Sequence, residues 1–139
     1  MAKVQTGSNA QFLGPNQGLT VIGKRCYAMS GAVSCSNAEK TLLDFSTENK
    51  PILCRIKVSV ATPAQEDDRM RFIFRLNGSI LYRAIIWSGL GGSAGYTSNR
   101  ESVKMIIPPL SRFEVLGENI TDSSSRQMAV VLAGKIIDA

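Results

Sequence analysis

The sequence has no histidine. That removes the commonest general base, metal ligand and pH switch together. Cysteine is scarce: Cys26, Cys35 and Cys54 make an odd number with no Cys-x-x-Cys pair. A disulfide framework or a zinc site is therefore not expected, and buried free thiols are. No apolar run approaches the ~20 residues of a membrane span. The opening MAKVQTGSNAQ lacks the hydrophobic centre of a signal peptide, so the chain is expected to be made in a cytoplasm and not exported by the usual route. No window of a dozen residues carries a helical period. Familiar catalytic patterns are missing as well. No serine sits in a Gly-x-Ser-x-Gly elbow, and no cysteine can have a histidine partner. Glu114, Glu118 and Asp122 could supply paired carboxylates, but any β-protein offers such pairs. No enzyme activity and no cofactor are expected.

What remains is 139 residues, 44% of them hydrophobic, with a net charge of +5. That length fits one domain able to bury a core without staples. Its centre is Arg69 to Trp87, RMRFIFRLNGSILYRAIIW. Met70, Phe72, Phe74 and Leu76 alternate with Arg69, Arg71, Ile73 and Arg75, which is the period of a strand with two unlike faces. Asn77-Gly78 supplies a hairpin turn, because both residues tolerate positive φ. A two-residue loop would pair Leu76 with Ser79 and bring Arg83 onto the face of Phe72 and Phe74. Burying an unpaired arginine is costly. A three-residue loop is therefore expected, with Gly78 as the left-handed residue of a bulge, so that Tyr82, Ala84 and Ile86 join the phenylalanines. Arg71 then lies near Arg83 on the other face, which requires water or an acidic partner there.

The rest of the chain reads as short strands between turn signals. Residues 1–18 are polar and punctuated by glycine, proline and asparagine, and read as a flexible or extended arm. A single β-sandwich domain follows over 19–139. Strand-like runs cover 19–22, 26–33 with Gly31 as a bulge, 40–45, 52–60, the hairpin, 102–107, 112–116 and 127–137. Pro108-Pro109 ends one of them sharply. About nine strands at such spacings point to an all-β antiparallel β-sandwich, jelly-roll-like in arrangement. The last strand, QMAVVLAGKII, is apolar on both faces and is expected to be buried on both, one side in the core and one in a subunit interface.

Few segments suggest chemistry. The loop from Gly89 to Gly95 lacks the Gly-Lys-Ser/Thr ending of a phosphate loop. Glu66, Asp67 and Asp68 form an acidic turn without the spacing of a calcium loop. Arg55 and Lys57 on one strand, with Arg69, Arg71 and Arg75 on another, are expected to line one basic sheet surface near Tyr82 and Trp87. Such a surface suits a single-stranded nucleic acid, although a solvated face is the plainer reading. Arg71, Arg75, Trp87 and Tyr96 are the candidate partner-binding residues. Trp87 and Tyr96 could instead stack on a sugar. Asn77-Gly-Ser and Asn119-Ile-Thr match the glycosylation pattern, without a secretion signal to give them meaning.

The second half, VKMIIPPLSRFEVLGENITDSSSRQMAVVLAGKII, pairs a strand ending in two prolines with RFEVLGEN, a serine-rich turn and a long apolar strand. This resembles small all-β virion proteins of tailed bacteriophages, particularly capsid decoration (cement) proteins and related jelly-roll modules. The resemblance covers roughly residues 40–137. It implies a non-enzymatic structural role in the virion. It implies binding to a capsid protein as a homo-oligomer, commonly a trimer at three-fold positions, with an N-terminal arm reaching over neighbours. A carbohydrate- or receptor-binding sandwich and a single-stranded nucleic-acid binder are the alternatives.

Overall fold

The period-2 runs become strands, and the order in which they pair gives the fold. The computed structural model describes residues 4–6, 16–60, 69–87, 100–121 and 123–138. Its strands are β1 (Val4–Thr6), β2 (Asn16–Ile22), β3 (Arg25–Met29), β4 (Val33–Cys35), β5 (Lys40–Ser46), β6 (Ile52–Val60), β7 (Arg69–Leu76), β8 (Ser79–Trp87), β9 (Arg100–Ile107), β10 (Arg112–Asn119) and β11 (Arg126–Ile136). They form two sheets. A seven-stranded sheet A runs β1-β2-β3-β11-β6-β9, with β4 also on β11, and a four-stranded sheet B runs β5-β10-β7-β8. All pairs are antiparallel except β1 with β2.

The pairing is nested around the β7–β8 turn. β7 pairs β8, β6 pairs β9, β5 pairs β10, and β3 and β4 pair β11. One long hairpin is thus rolled up so that successive pairs fall in alternate sheets. This is the expected jelly-roll sandwich. Of the predicted arm, Val4–Thr6 lies beside β2, Asn16–Gly18 opens β2, and residues 1–3 and 7–15 lie outside the described residues.

The hairpin corrects one expectation. Asn77 and Gly78 both have positive φ, 51° and 85°, and Leu76 pairs Ser79, so the loop has two residues. The register then shifts, with Arg75 opposite Ile80 and Phe74 opposite Tyr82, leaving Leu81 as the extra residue of a bulge. The expected face is reached by this other device. Phe72 pairs Ala84 and Met70 pairs Ile86. All four are buried, and Arg83 stays exposed. The two-residue turn wins because an Asn-Gly pair is suited to a turn with both central residues left-handed. A bulge then moves the arginine outward.

Gly31 acts as read. β3 and β4 follow β11 in registers one residue apart, with Gly31 at φ 69° between them. The Ser30 hydroxyl mends the ladder there, accepting from the Val130 N–H at 2.9 Å.

The core lies between the sheets. Phe45, Phe72, Phe74 and Phe113 are fully buried. Phe113 meets Phe45 at 5.7 Å and Phe74 at 6.1 Å between ring centroids. Sheet A adds Cys26, Cys54, Ile56, Val58, Val130 and Leu132. Within the chain β11 is covered on its core face alone. Its inward residues Met128, Val130 and Leu132 are buried, but Val131 is 41% exposed and Ala133 and Lys135 are exposed too. Only one face of this strand is covered within the chain, because no layer lies over the outside of sheet A among the described residues.

Gly134 fixes how closely β3, β11 and β6 lie. It pairs with both Cys26 and Cys54, and a Cβ there would stand 2.7 Å from Cys54 Cβ and 2.8 Å from Cys54 Cα. No flexible side chain can yield to it. Gly134→Ala is expected to destabilise the domain by about 2–3 kcal/mol, read as a lower midpoint in urea denaturation. An unchanged midpoint would mean that β6 is free to move away.

Candidate interaction surfaces

The two outer sheet faces carry opposite electrostatic designs. On sheet B, β7 turns Arg71, Ile73 and Arg75 outward, and β10 turns out Glu114, Leu116 and Glu118 beside them. The register sets Glu118 against Arg71, Leu116 against Ile73 and Glu114 against Arg75. Arg71 Nε donates to Glu118 Oε1 at 2.8 Å, and its Nη2 bonds the same oxygen. Arg75 Nη2 donates to Glu114 Oε2 at 3.3 Å. Arg112 holds Asp44 through two bonds, Nε to Oδ1 at 2.9 Å and Nη2 to Oδ2 at 2.8 Å. That two-pronged contact holds the Asp44 carboxyl below its ordinary range and raises Arg112. Ile73 and Leu116 are buried among these long side chains, apart from the main core cluster. Alkyl stems of paired charges can cover such residues while the heads stay wet. The acidic partner that Arg71 required is thus Glu118. Arg75 Nε remains buried with no hydrogen-bond partner among the described residues.

The candidate residues divide accordingly. Arg71 and Arg75 share the outer face of sheet B, each in an ion pair. Trp87 ends β8 opposite Arg69, and Tyr96 lies outside the described residues. So do the Gly89–Gly95 loop, the acidic turn at Glu66, Asp67 and Asp68, and Asp122. The single basic surface does not form. Arg55 and Lys57 belong to β6 in sheet A, whereas Arg69, Arg71 and Arg75 belong to β7 in sheet B. Alternation told which residues share a face of one strand, but not which strands share a sheet.

Sheet A instead gathers cations that the sequence did not group. Its outer face carries Arg25 on β3, Lys135 on β11, Arg55 and Lys57 on β6, and Lys104 on β9, all exposed. Lys135 stands directly opposite Arg25, and Arg55 opposite Lys104. Arg55 Nη1 donates to Ser102 Oγ at 3.1 Å. Among the described residues none of the five pairs with a carboxylate. Met29, Val131, Leu53 and Ile106 stand in the same rows.

Other features are structural. Burial pushes the thiols of Cys26 and Cys35 up to about 11 and that of Cys54 up to about 12, so they stay protonated at neutral pH. The Asn119 side chain is consumed internally. Its Nδ2 donates to the Ser124 carbonyl at 2.8 Å, and its Oδ1 accepts from the Thr121 N–H at 2.9 Å. Asn77 Oδ1 likewise accepts from the Arg112 N–H at 2.9 Å. Among the described residues no helix is long and apolar enough to cross a membrane.

At the turn end of the sandwich a cavity of about 330 Å³ is lined by Leu19, Val21, Ile52 and Ile136, with Lys24, Lys50 and Asp138 beside them. Asp138 bridges both lysines, at 2.9 Å to Lys24 and 2.5 Å to Lys50. It thereby ties the end of the chain to the β2–β3 and β5–β6 turns.

No protein-family model matches this chain, and no curated protein matches it in sequence. Among solved structures it is similar to the infectious bursal disease virus VP2 subviral particle. The identity is 14% and the TM-score 0.37, over 81% of this chain and 30% of that one. It is also similar to infectious bursal disease virus Gx strain, at 12% identity and a TM-score of 0.31, over 78% and 30%. The chain thus spans under a third of the length of these viral proteins. Identities and TM-scores this low decide nothing about function.

The Asp138 bridge predicts a pH dependence. Hydrogen bonds from Lys50 and then Lys24 lower its carboxyl from 3.8 to about 2. A depressed carboxyl adds stability that is full above the ordinary value and lost as pH falls through the folded one. Asp138→Asn should therefore lower the melting temperature at neutral pH, and the gap to the parent should close as pH falls from about 4 to about 2. A gap constant over that range would show that the bridge is not formed in solution.

Proposed function

We propose that the chain is a non-enzymatic structural protein of a virion, an oligomer of the capsid-decorating kind that binds a phage head from outside and braces it. The observation that supports this most is the outer strand of sheet B. β8 is nine residues long and shows Ile80, Leu81 and Ile85 to solvent, 45%, 50% and 54% exposed. Sheet edges are normally blunted by charge, proline, short length or cover. β8 has one charge, Arg83, and no proline. Among the described residues no strand lies on the outer side of β8, and an apolar strand left at an edge is a surface for another chain.

Fold and resemblance add to this without carrying it. Jelly-roll sandwiches recur in viral capsid domains and also in lectins, so the fold supplies a class and not a partner. The likeness of the second half to tailed-phage decoration proteins supplies the finer role, the trimer and the capsid partner. The lectin-like alternative rests on Trp87 and Tyr96, whose side chains lie outside the described residues.

Light scattering on the full chain is expected to give three times the 15.0 kDa of the monomer. Ile85→Lys should move that mass toward the monomer and weaken binding to purified phage heads, with the melting temperature kept. A parent chain that is monomeric and binds no heads would overturn the reading.

A further inference from the structure

Among the described residues, the outer face of sheet A gathers five cations that no carboxylate pairs. Arg25, Lys135, Arg55, Lys57 and Lys104 occupy four neighbouring strands, and all are exposed. Two of the cross-strand pairs are like-charged, Arg25 with Lys135 and Arg55 with Lys104. Like charges directly opposite each other on a sheet are destabilising. The chain could have relieved them, as it does on sheet B, where Asp44, Glu114 and Glu118 sit among the arginines. On sheet A the repulsion stands, and an anion bound across the face would remove it.

We infer that this face binds the phosphate backbone of nucleic acid, without regard to base sequence. The charge distribution favours that partner over an acidic protein. The centres of protein–protein interfaces are depleted in lysine and built on apolar anchors. Here Arg55 and Lys57 hold the middle strand β6, Lys135 the end of β11, and Arg25 and Lys104 the flanks, so that the exposed Met29, Val131 and Ile106 lie scattered between cations rather than gathered into an apolar centre. Nucleic-acid interfaces are far more positively charged. Residues two apart on a strand, such as Arg55 and Lys57, stand about 6.8 Å apart on one face, and neighbouring strands about 4.8 Å apart. The five cations therefore form a field that a polyanion can follow rather than a pocket for a single ion. Ala133, between Arg55 and Tyr27 in its row, adds little height, so a backbone can approach the sheet closely. The aromatic content of the face is small, with Tyr27 alone half-buried in the same row. Binding is therefore to phosphates rather than by base stacking. The inference stands apart from the decorating role, since it rests on sheet A and that role on β8.

The test is fluorescence anisotropy of the full chain with a labelled oligothymidylate, titrated at several salt concentrations. Binding at low salt is expected, with log K falling linearly in log salt. Lys57→Gln with Lys104→Gln should reduce the slope by about 1.4, roughly 0.7 for each phosphate of a single strand that is no longer neutralised. Arg25→Gln with Lys135→Gln, made separately, should reduce it similarly. Arg83→Gln, on sheet B, should leave it unchanged. Melting temperatures of both double variants should equal or exceed the parent's, since each relieves a like-charged pair. Three results would overturn the inference. One is no binding at low salt, and another is a slope that both double variants leave intact. The third is binding of polyglutamate or phage heads through these residues with none of oligothymidylate, which would assign the face to an acidic protein surface.

Discussion

An arginine cannot be left unpaired inside a sandwich of this size, and that constraint sets the hairpin on which the fold is wound. Arg83 sits four residues into β8. A turn closed by Asn77-Gly78 and continued without a break would set it opposite Phe72, on the core face. The bulge at Leu81 moves it to the outer face and brings Ala84 and Ile86 in. The nested pairs then stack outward from this hairpin, β6 with β9, β5 with β10, and β3 and β4 with β11. The register of the tip therefore governs which side chains of sheet B meet the phenylalanine core and which meet water.

The same logic explains why the two outer faces differ. On sheet B the arginines of β7 lie beside a strand whose outward positions are Glu114 and Glu118, so charge is answered within the sheet and can even cover Ile73 and Leu116. On sheet A the outward positions of β3, β11, β6 and β9 supply cations without acids among the described residues. The first arrangement stabilises a fold by itself. The second leaves like charges face to face, a repulsion that the anion proposed for this face would relieve. The assembly proposed for the apolar β8 edge and the binding proposed for the cationic face of sheet A use different surfaces, so one need not obstruct the other.

Much of the fold was legible in the residues. Strict alternation located β6 and β7, Asn77-Gly78 located the turn, Pro108-Pro109 stopped β9 at Ile107, and Gly31 marked a bulge. What alternation cannot carry is anything that breaks it. The bulge at Leu81 has no turn residue to announce it. Neither does the irregularity in β5, where Leu42 and Leu43 are both buried on successive positions. Sheet membership was hidden as well. Arg55 and Arg71 look alike in sequence, yet nested pairing sends consecutive strands to opposite layers. Lys104 and Lys135 looked isolated until β9 and β11 were placed on either side of β6. The outer face of β11, where Val131 is exposed between Ala129 and Ala133, has no cover within the chain, so the subunit interface expected there would have to come from another copy.

The register of the hairpin decides the rest, and nuclear magnetic resonance can read it directly. With the bulge at Leu81, cross-strand Overhauser contacts are expected between the Phe74 and Tyr82 rings, whose centroids stand 5.6 Å apart, and between Phe72 and Ala84. Contacts from Phe74 to Leu81 and from Phe72 to Arg83 would contradict it. They would put an arginine into the core face of sheet B.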